Sequence, residues 1–366
     1  MKTALLHYWL TGMRGGEQVL CEICRMYPGC DIFTHAALPE RLDPLIRSHR
    51  IRETFIARLP GSHTRCQRYL PLMPLALRAL DLRGYDLILS SESGPVKGVR
   101  KPPGAVHVCY CHTPMRYLWD MYDEYYASAS CAEKLAMTLF RDLLRRYDLR
   151  SAQQPDCFLA NSHFVAERIR RIYGRDAAVV HPPVRVEFFR DAPGAKKQEF
   201  YLAAGELVPY KRTELAIEAC VRLKRTLLVA GSGPCFEPLR EKYRDNSHIC
   251  FVGHVSDAEL RALYSSARAL LFPGVEDFGI VPVEAMAAGT PVIAFHAGGV
   301  LETVREGKSG LFFREPTASS LMDSIREFEN RSWPSETVRH GLEYFSAERF
   351  RREFRNEVEA ALSAAR

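Results

Sequence analysis

Between Gly274 and Gly299 the chain reads GVEDFGIVPVEAMAAGTPVIAFHAGG, with two carboxylates, Glu276 and Glu284, eight residues apart across a glycine turn. The apolar run Ala269–Phe272 ahead of them has the length and composition of a buried parallel strand. Val281–Ala288 carries a helical pattern, with Gly289 as its C-terminal stop. Asp277, Phe278, Gly279 and Ile280 therefore form a loop that opens onto a helix N-terminus. Such a terminus leaves backbone N–H donors unpaired and carries positive partial charge, which suits an anion. One carboxylate before the turn and another inside the helix could accept hydroxyl groups on either side of that anion. A lone pair of glutamates is more often solvated surface; the rest of the chain weighs against that here.

Other positions offer related chemistry. Lys211 and Arg212 follow the apolar run Phe200–Ala204, where a strand gives way to the helical stretch Thr213–Leu223. A lysine there can face a diphosphate, and an arginine beside it can grip one bidentately. Gly231 and Gly233 follow Thr226–Ala230, a glycine turn that permits close approach of a ligand to the backbone; His254 and Val255 follow Ile249–Val252. In the first half, Gly15 and Gly16 lie in the loop after Thr3–His7. His112 ends the run Val106–Cys111, and Arg116, Tyr117 and Trp119 follow it. Each of these alone reads equally well as a turn or a satisfied polar residue.

The elements that must position them alternate, short apolar strand with helical stretch, which predicts parallel sheets covered by helices on both faces. Further strands are expected at 86–90, 156–160, 178–181, 291–295 and 310–313, and further helices at 17–27, 164–173 and 258–267. Tandem prolines and the string DAPGAKKQ interrupt the pattern near Pro182–Lys197 and predict a linker. The expected organisation is a doubly wound domain over 1–183, a second over 184–345, and a terminal helix over 346–366. Phe350, Phe354, Val358 and Leu362 recur every fourth residue on that helix, which is expected to cross back to the first domain. In doubly wound sheets a ligand sits outside the carboxyl ends of the strands.

A chain of 366 residues is long for one core, and its 47% hydrophobic and 26% charged content is that of an ordinary globular protein. No run reaches the roughly 20 apolar residues of a membrane-spanning helix, and the apolar part of MKTALLHYWLTGMRGG is too short for a secretory signal. A cytoplasmic location is expected, and eleven scattered cysteines agree with a reducing compartment. Cys21 and Cys24 lie on an apolar helical face with no matching pair downstream, and Cys109 and Cys111 lie in a strand, so all four read as core. The net charge of +6 suits an anionic partner, but no nucleic-acid motif or stacking platform accompanies it. Between Arg41 and Arg83 nine arginines mix with Phe55, Ile56, Leu59, Tyr69, Leu70, Leu72, Met73 and Leu75. Such a mixture suits the anionic face of a membrane, or else a buried helix with arginines around it.

The segment 274–299 resembles the E-x7-E signature of glycosyltransferase family 4, the retaining sugar transferases of GT-B fold. HYWLTGMRGG (7–16), CHTPMRYLW (111–119), Asn161–Ser162, GELVPYKR (205–212) and FVGHV (251–255) resemble other landmarks of that family in the same order. The tract CYCHTPMRYLWDMYDEYY is similar to the WbaZ-like mannosyltransferases of surface-polysaccharide assembly. The resemblance covers nearly the whole chain. It implies two Rossmann-like domains facing a cleft, a nucleotide-sugar donor, and a lipid-linked glycan acceptor at the inner face of a membrane. It assigns Lys211 and Arg212 to the diphosphate, Glu284 to ribose hydroxyls, and Glu276 and the 277–280 loop to the transferred sugar. Gly15, Gly16, Gly231, Gly233, His254 and Val255 join the donor side, His112 the anomeric region, and Arg116, Tyr117 and Trp119 the acceptor side. GDP-mannose is the expected donor and a UDP-hexose the alternative. No DxD-type motif ends a strand, so neither metal nor cofactor is expected. Two doubly wound units also suit a dinucleotide-dependent oxidoreductase, but GxGxxG with its ribose-binding acid is missing. A non-catalytic sugar-nucleotide binder would not need His112, Lys211, Glu276 and Glu284 together. Glu206 stands where many relatives carry an arginine, and is expected to turn away from the phosphates.

Overall fold

The structure, a computed structural model, describes residues 1–190 and 196–365, without the side chain of Ser128; residues 191–195 of the expected linker lie outside the described part. The chain divides into two compact units, one of Met1–Pro183 together with the chain from Phe350 onward, the other of Val184–Arg349.

The first unit is built on a parallel sheet of β1 (Thr3–His7), β2 (Asp31–Thr34), β3 (Arg50–Glu53), β4 (Leu87–Glu92), β5 (Val106–Cys111), β6 (Cys157–Ala160) and β7 (Ala178–Val179), in the order β3-β2-β1-β4-β5-β6-β7. Successive strand residues point to opposite faces, so a sheet covered on both sides needs apolar residues at every position. Leu5, Leu87 and Val108 enter one core with Leu20 and Ile23 of the helix Gly15–Met26. Their neighbours Ala4, Leu6 and Ile88 enter a second core on the other face with Leu77 and Leu82. Phe350, Phe354 and Val358 of the helix Ala347–Ala364 complete the first of these, Phe350 meeting Tyr110 edge-on at 5.7 Å.

The second unit carries β8 (Phe200–Ala204), β9 (Thr226–Ala230), β10 (Ile249–Gly253), β11 (Ala269–Phe272), β12 (Val292–Phe295) and β13 (Gly310–Phe313), all parallel, in the order β10-β9-β8-β11-β12-β13. Leu202, Leu270 and Val292 pack with the helix Ile280–Ala287 on one face. Tyr201, Leu271 and Ile293 pack with the helices Thr213–Leu223 and Ala318–Glu329 on the other. The two sheets, each wound on both faces, make this an α/β protein of two Rossmann-like units.

β2 and β3 are absent from the sequence reading. β3 reads RIRE, an edge strand whose arginines face outward, with Arg52 bonded to Asp31 of β2 at 3.1 Å, so it shows no apolar run. The segment 41–83 also sorts itself. Ile56, Met73, Ala76 and Leu77 are buried while Arg58, Arg65, Arg68 and Arg78 are exposed, and of its larger apolar side chains Leu72 and Leu75 stay out. Cys21, Cys24, Cys109 and Cys111 are all buried. No helix among the described residues is long and apolar enough to cross a membrane.

Candidate functional site

In the second unit the strand order reverses beside β8, whose neighbours are β9 and β11. A reversal leaves a crevice at the strands' carboxyl ends, because the loops leaving the two strands part to opposite faces. A hollow lies at this place, lined by Gly205, Glu206, Lys211, Thr213, Gly274 and Glu276. Lys211 ends the single 3-10 turn Pro209–Lys211 that leaves β8, and its Nζ lies 2.9 Å from Oε1 of Glu276 in the loop leaving β11. Burial disfavours the ammonium, but Glu276 outweighs it, with Tyr210 and Glu206 adding to the effect, and raises the Lys211 pKa above its ordinary value. Lys211 is therefore a fixed cation at neutral pH. Glu206 is part of the hollow's lining, and its charge adds to the rise in the Lys211 pKa.

Glycines let these loops meet backbone to backbone. A Cβ on Gly274 would lie 2.7 Å from the Lys211 Cα, and one on Gly299 only 2.2 Å from the Asp277 carbonyl oxygen. Gly299 N–H also donates to the Glu276 carbonyl at 2.8 Å, so the 298–299 turn clamps the loop that carries Glu276. Gly231 has φ +129 and its Cβ would lie 1.9 Å from the Gly205 carbonyl; Gly233 meets the Leu207 carbonyl in the same way. These two glycines thus serve the packing of the β9 loop under the β8 loop. Gly231→Ala is expected to lower stability by at least about 2 kcal/mol, since the left-handed backbone alone costs about 1–3 kcal/mol. A chemical-denaturation midpoint equal to wild type would refute this.

The rest of the 277–280 loop divides by depth. Phe278 is core, edge-on to Phe345 at 5.5 Å, Asp277 is buried, and Gly279, with φ +89, caps the helix Ile280–Ala287. Arg212 also has a left-handed backbone, φ 50, which swings its guanidinium over the Phe295 ring at 5.8 Å with Nη1 buried and unpaired. His254 is exposed beyond the end of edge strand β10, and Val255 packs against the core.

Glu284, one turn into the helix Ile280–Ala287, accepts a long bond from the Tyr264 hydroxyl at 3.4 Å. Burial pushes its pKa up to about 7, Arg185 and Tyr264 pull it back, and Asp257 adds to the rise. Arg185 is bonded to Asp257 at 2.5 Å. Burial and the charges of Glu284 and Glu276 hold the Tyr264 hydroxyl well above its ordinary pKa. Nothing in the sequence marks Arg185 or Tyr264, which sit in the ordinary runs VRVEFF and LRALYSS.

The first unit has its own reversal, between β1 and β4. There the Nε2 of His112 lies 2.9 Å from the Ser91 hydroxyl at the end of β4, and the Asn161 amide donates to the His112 carbonyl at 3.0 Å. A Cβ on Gly16 would stand 3.1 Å from the Tyr8 hydroxyl and 3.6 Å from the His112 Nε2, so this glycine keeps space open beside the imidazole. The Glu17 carboxylate bonds the Arg14 N–H at 2.9 Å and lies 3.6 Å from the His7 Nε2. Burial opposes its ionisation, but His7 and these bonds keep its pKa below the usual carboxylate value. Gly15 and Gly16 open the helix Gly15–Met26.

Behind the 112–119 loop lies a buried ion cluster absent from the sequence reading. Lys97 Nζ is 3.1 Å from Glu92 and 2.6 Å from Asp148, all three excluded from solvent. Asp148 also accepts from the Trp119 indole at 2.7 Å and the Tyr173 hydroxyl at 2.9 Å. Trp119 is thereby an anchor of its loop, Tyr117 packs against the same small core, and Arg116 is half-buried beside them. Lys97 lies in PVKGV, where a lysine among apolar residues is the one sequence sign of burial.

Comparison with known proteins adds a family. Residues 13–188 match the model of Glycosyltransferase Family 4, and residues 185–341 that of Glycosyl transferases group 1. The chain is 29% identical over 194 residues to a GDP-mannose-dependent alpha-(1-6)-phosphatidylinositol monomannoside mannosyltransferase of Mycobacterium tuberculosis, covering 45% of this chain and 50% of that one. It is 32% identical over 188 residues to a D-inositol 3-phosphate glycosyltransferase of Streptomyces bingchenggensis, covering 43% and 41%. The chain thus matches half or less of the length of these relatives. Among solved structures it resembles Anabaena HepE in complex with UDP and glucose, TM-score 0.73 at 16% identity, over 98% of this chain and 100% of that one. It also resembles the sucrose-phosphate synthase of Thermosynechococcus elongatus, TM-score 0.74 at 18% identity, over all of both chains. With a Family 4 model over its first half and a group 1 model over its second, joined without a gap from residue 13 to 341, the chain belongs to the family 4 glycosyltransferases.

Proposed function

We propose that this protein is a retaining glycosyltransferase that transfers mannose from GDP-mannose to a lipid-linked oligosaccharide in surface-polysaccharide assembly. The observation that carries the reading is the Lys211–Glu276 pair, 2.9 Å apart at the strand reversal of the second sheet. A lysine held charged beside a hollow is suited to a departing diphosphate, where charge develops as the sugar–oxygen bond breaks. Glu276 is suited to sugar hydroxyls, and the backbone N–H groups opening the helix Ile280–Ala287 to a phosphate or sugar oxygen. In this scheme the acceptor hydroxyl attacks the anomeric carbon from the face the diphosphate leaves. The acceptor's proton passes to the departing phosphate oxygen, and configuration is kept. Glu276 is bonded to Lys211, so a covalent glycosyl–carboxylate intermediate is not invoked. Mannose and GDP are supported by the similarity to the GDP-mannose-dependent mycobacterial mannosyltransferase. The lysine, arginine and helix terminus supply the neutralising charge, so no metal enters the scheme.

Titration calorimetry with GDP, UDP and ADP, followed by transfer assays in excess EDTA, tests the proposal. GDP is expected to bind most tightly, EDTA to leave the rate unchanged, and the product to keep the donor's anomeric configuration. Preference for UDP would move the donor to a UDP-hexose. Strict dependence on a divalent ion, or an inverted product, would overturn the mechanism.

A further inference from the structure

Five of the eleven large apolar side chains that are exposed among the described residues lie on one helix, Cys131–Ser151. Leu135, Leu139 and Leu143 are 62%, 68% and 60% exposed and recur every fourth residue, so they form one row along about 12 Å of helix. Phe140 widens the row. The opposite face is fully engaged: Leu144 packs with Met115 and Leu118, and Asp148 holds Lys97, Trp119 and Tyr173. The helix is therefore fixed to the fold by one side and offers leucines on the other.

The same row continues into cations. Arg146 and Arg150 fall on the leucine face one to two turns further along, at the helical spacing of seven residues, and both are exposed. Arg141 and Arg145 belong to the engaged side, held over the rings of Tyr122 and Trp119 at 3.9 and 4.8 Å. At the other end Glu133, bonded first by Ser130, also feels Arg68 and Arg65, which brings two exposed arginines of the 41–83 segment beside the helix N-terminus. An apolar row bordered by guanidinium groups matches a lipid surface of phosphate head groups over acyl chains. A second copy of the chain would have to bring these arginines against its own.

We infer that the exposed face of the helix Cys131–Ser151 is a membrane-docking surface, with Leu135, Leu139, Phe140 and Leu143 entering the acyl boundary of an anionic bilayer and Arg146 and Arg150 on its phosphates. The inference gives a place to the lipid-linked acceptor of the proposed function and rests on that reading for its purpose, though not for its geometry. The test is sedimentation with vesicles of phosphatidylglycerol and phosphatidylcholine, against phosphatidylcholine alone. The wild-type chain is compared with the double variants Leu139→Gln/Leu143→Gln and Arg146→Gln/Arg150→Gln. Wild type is expected to pellet with the anionic vesicles, less so as salt rises. The leucine variant should lose at least tenfold in partitioning at any salt, and the arginine variant should lose most at low salt. All four residues are exposed, so unchanged melting is expected and is checked first. Nucleotide binding by calorimetry should be equal in all three proteins. Its failure in all of them would sink the proposed function while leaving the vesicle result standing. Equal pelleting of wild type and the leucine variant, or none with either vesicle, would overturn the docking surface. So would a wild-type dimer in sedimentation velocity that the leucine variant abolishes, which would assign the face to a second copy.

Discussion

Replacing Lys211 by alanine is expected to lower kcat for sugar transfer by about 100- to 1000-fold, the range seen when one donor aimed at developing transition-state charge is removed. The lysine is 18% exposed and held charged by Glu276, so no solvent reorganisation is needed when the diphosphate departs. The loss should fall on kcat more than on KM, because charge on the leaving group grows along the reaction. Lys211→Arg should recover part of the rate, since charge is kept while the single-point geometry is not. The fold should survive, because Glu276 is itself 17% exposed and retains access to water once its partner is gone. Steady-state kinetics with a thermal melt on the same sample decides the matter. Wild-type turnover in a folded Lys211→Ala protein would remove the site assignment.

The second large effect concerns pH and Glu284. Its pKa is raised from 4.5 to about 7, so near neutrality the carboxyl is about half ionised before donor binds. Only the ionised form accepts two hydroxyl donors, and a competent fraction scales the apparent affinity. Donor affinity is therefore expected to fall roughly tenfold from pH 8 to pH 6, and Glu284→Gln should flatten that dependence while weakening binding at pH 8. Stability should move in the opposite direction. Between pH 4.5 and 7 the folded protein holds a proton that the unfolded chain has released, so the contribution of Glu284 to stability is lost as pH rises through this window. Glu284→Gln should accordingly melt above wild type at pH 8, by an amount on the order of 3 kcal/mol, and converge with it near pH 5. Equal melting of the two proteins across that range, or donor affinity that does not change with pH, would show that Glu284 stays ionised and lies in a wetter place.

The local pattern carried much of the architecture. β1, β5, β8, β9, β11 and β13 have the bounds expected from their apolar runs, because a parallel strand buried on both faces must be apolar at nearly every position. β2 and β3 escaped because DIFT holds only two apolar residues and RIRE is a charged edge, where burial imposes no pattern. The helix Cys131–Ser151 escaped notice as a surface for the opposite reason. Its leucines repeat as a core stripe would, and only the folded chain shows that the fixed side is the one with Leu144 and Asp148.

The candidate site divides along the same line. Strand-to-helix junctions are written locally, in glycines and in the change of periodicity, so Lys211, Glu276 and His112 could be picked from the sequence after their strands, and Glu284 in the helix that follows one. What sequence spacing cannot express is which junctions become neighbours. Lys211 and Glu276 are 65 positions apart and meet because β8 pairs with β11, across the reversal of strand order. The same holds for Ser91 beneath His112, and for Lys97 between Glu92 and Asp148. The charge states follow from those meetings, since burial and an opposite charge a few ångströms away decide a pKa, and both are properties of the packed sheet. Sequence alone determined a two-sheet α/β chain with its polar residues at strand ends; the tertiary structure decided which of them share a hollow, because strand order is set by packing between segments far apart in the chain.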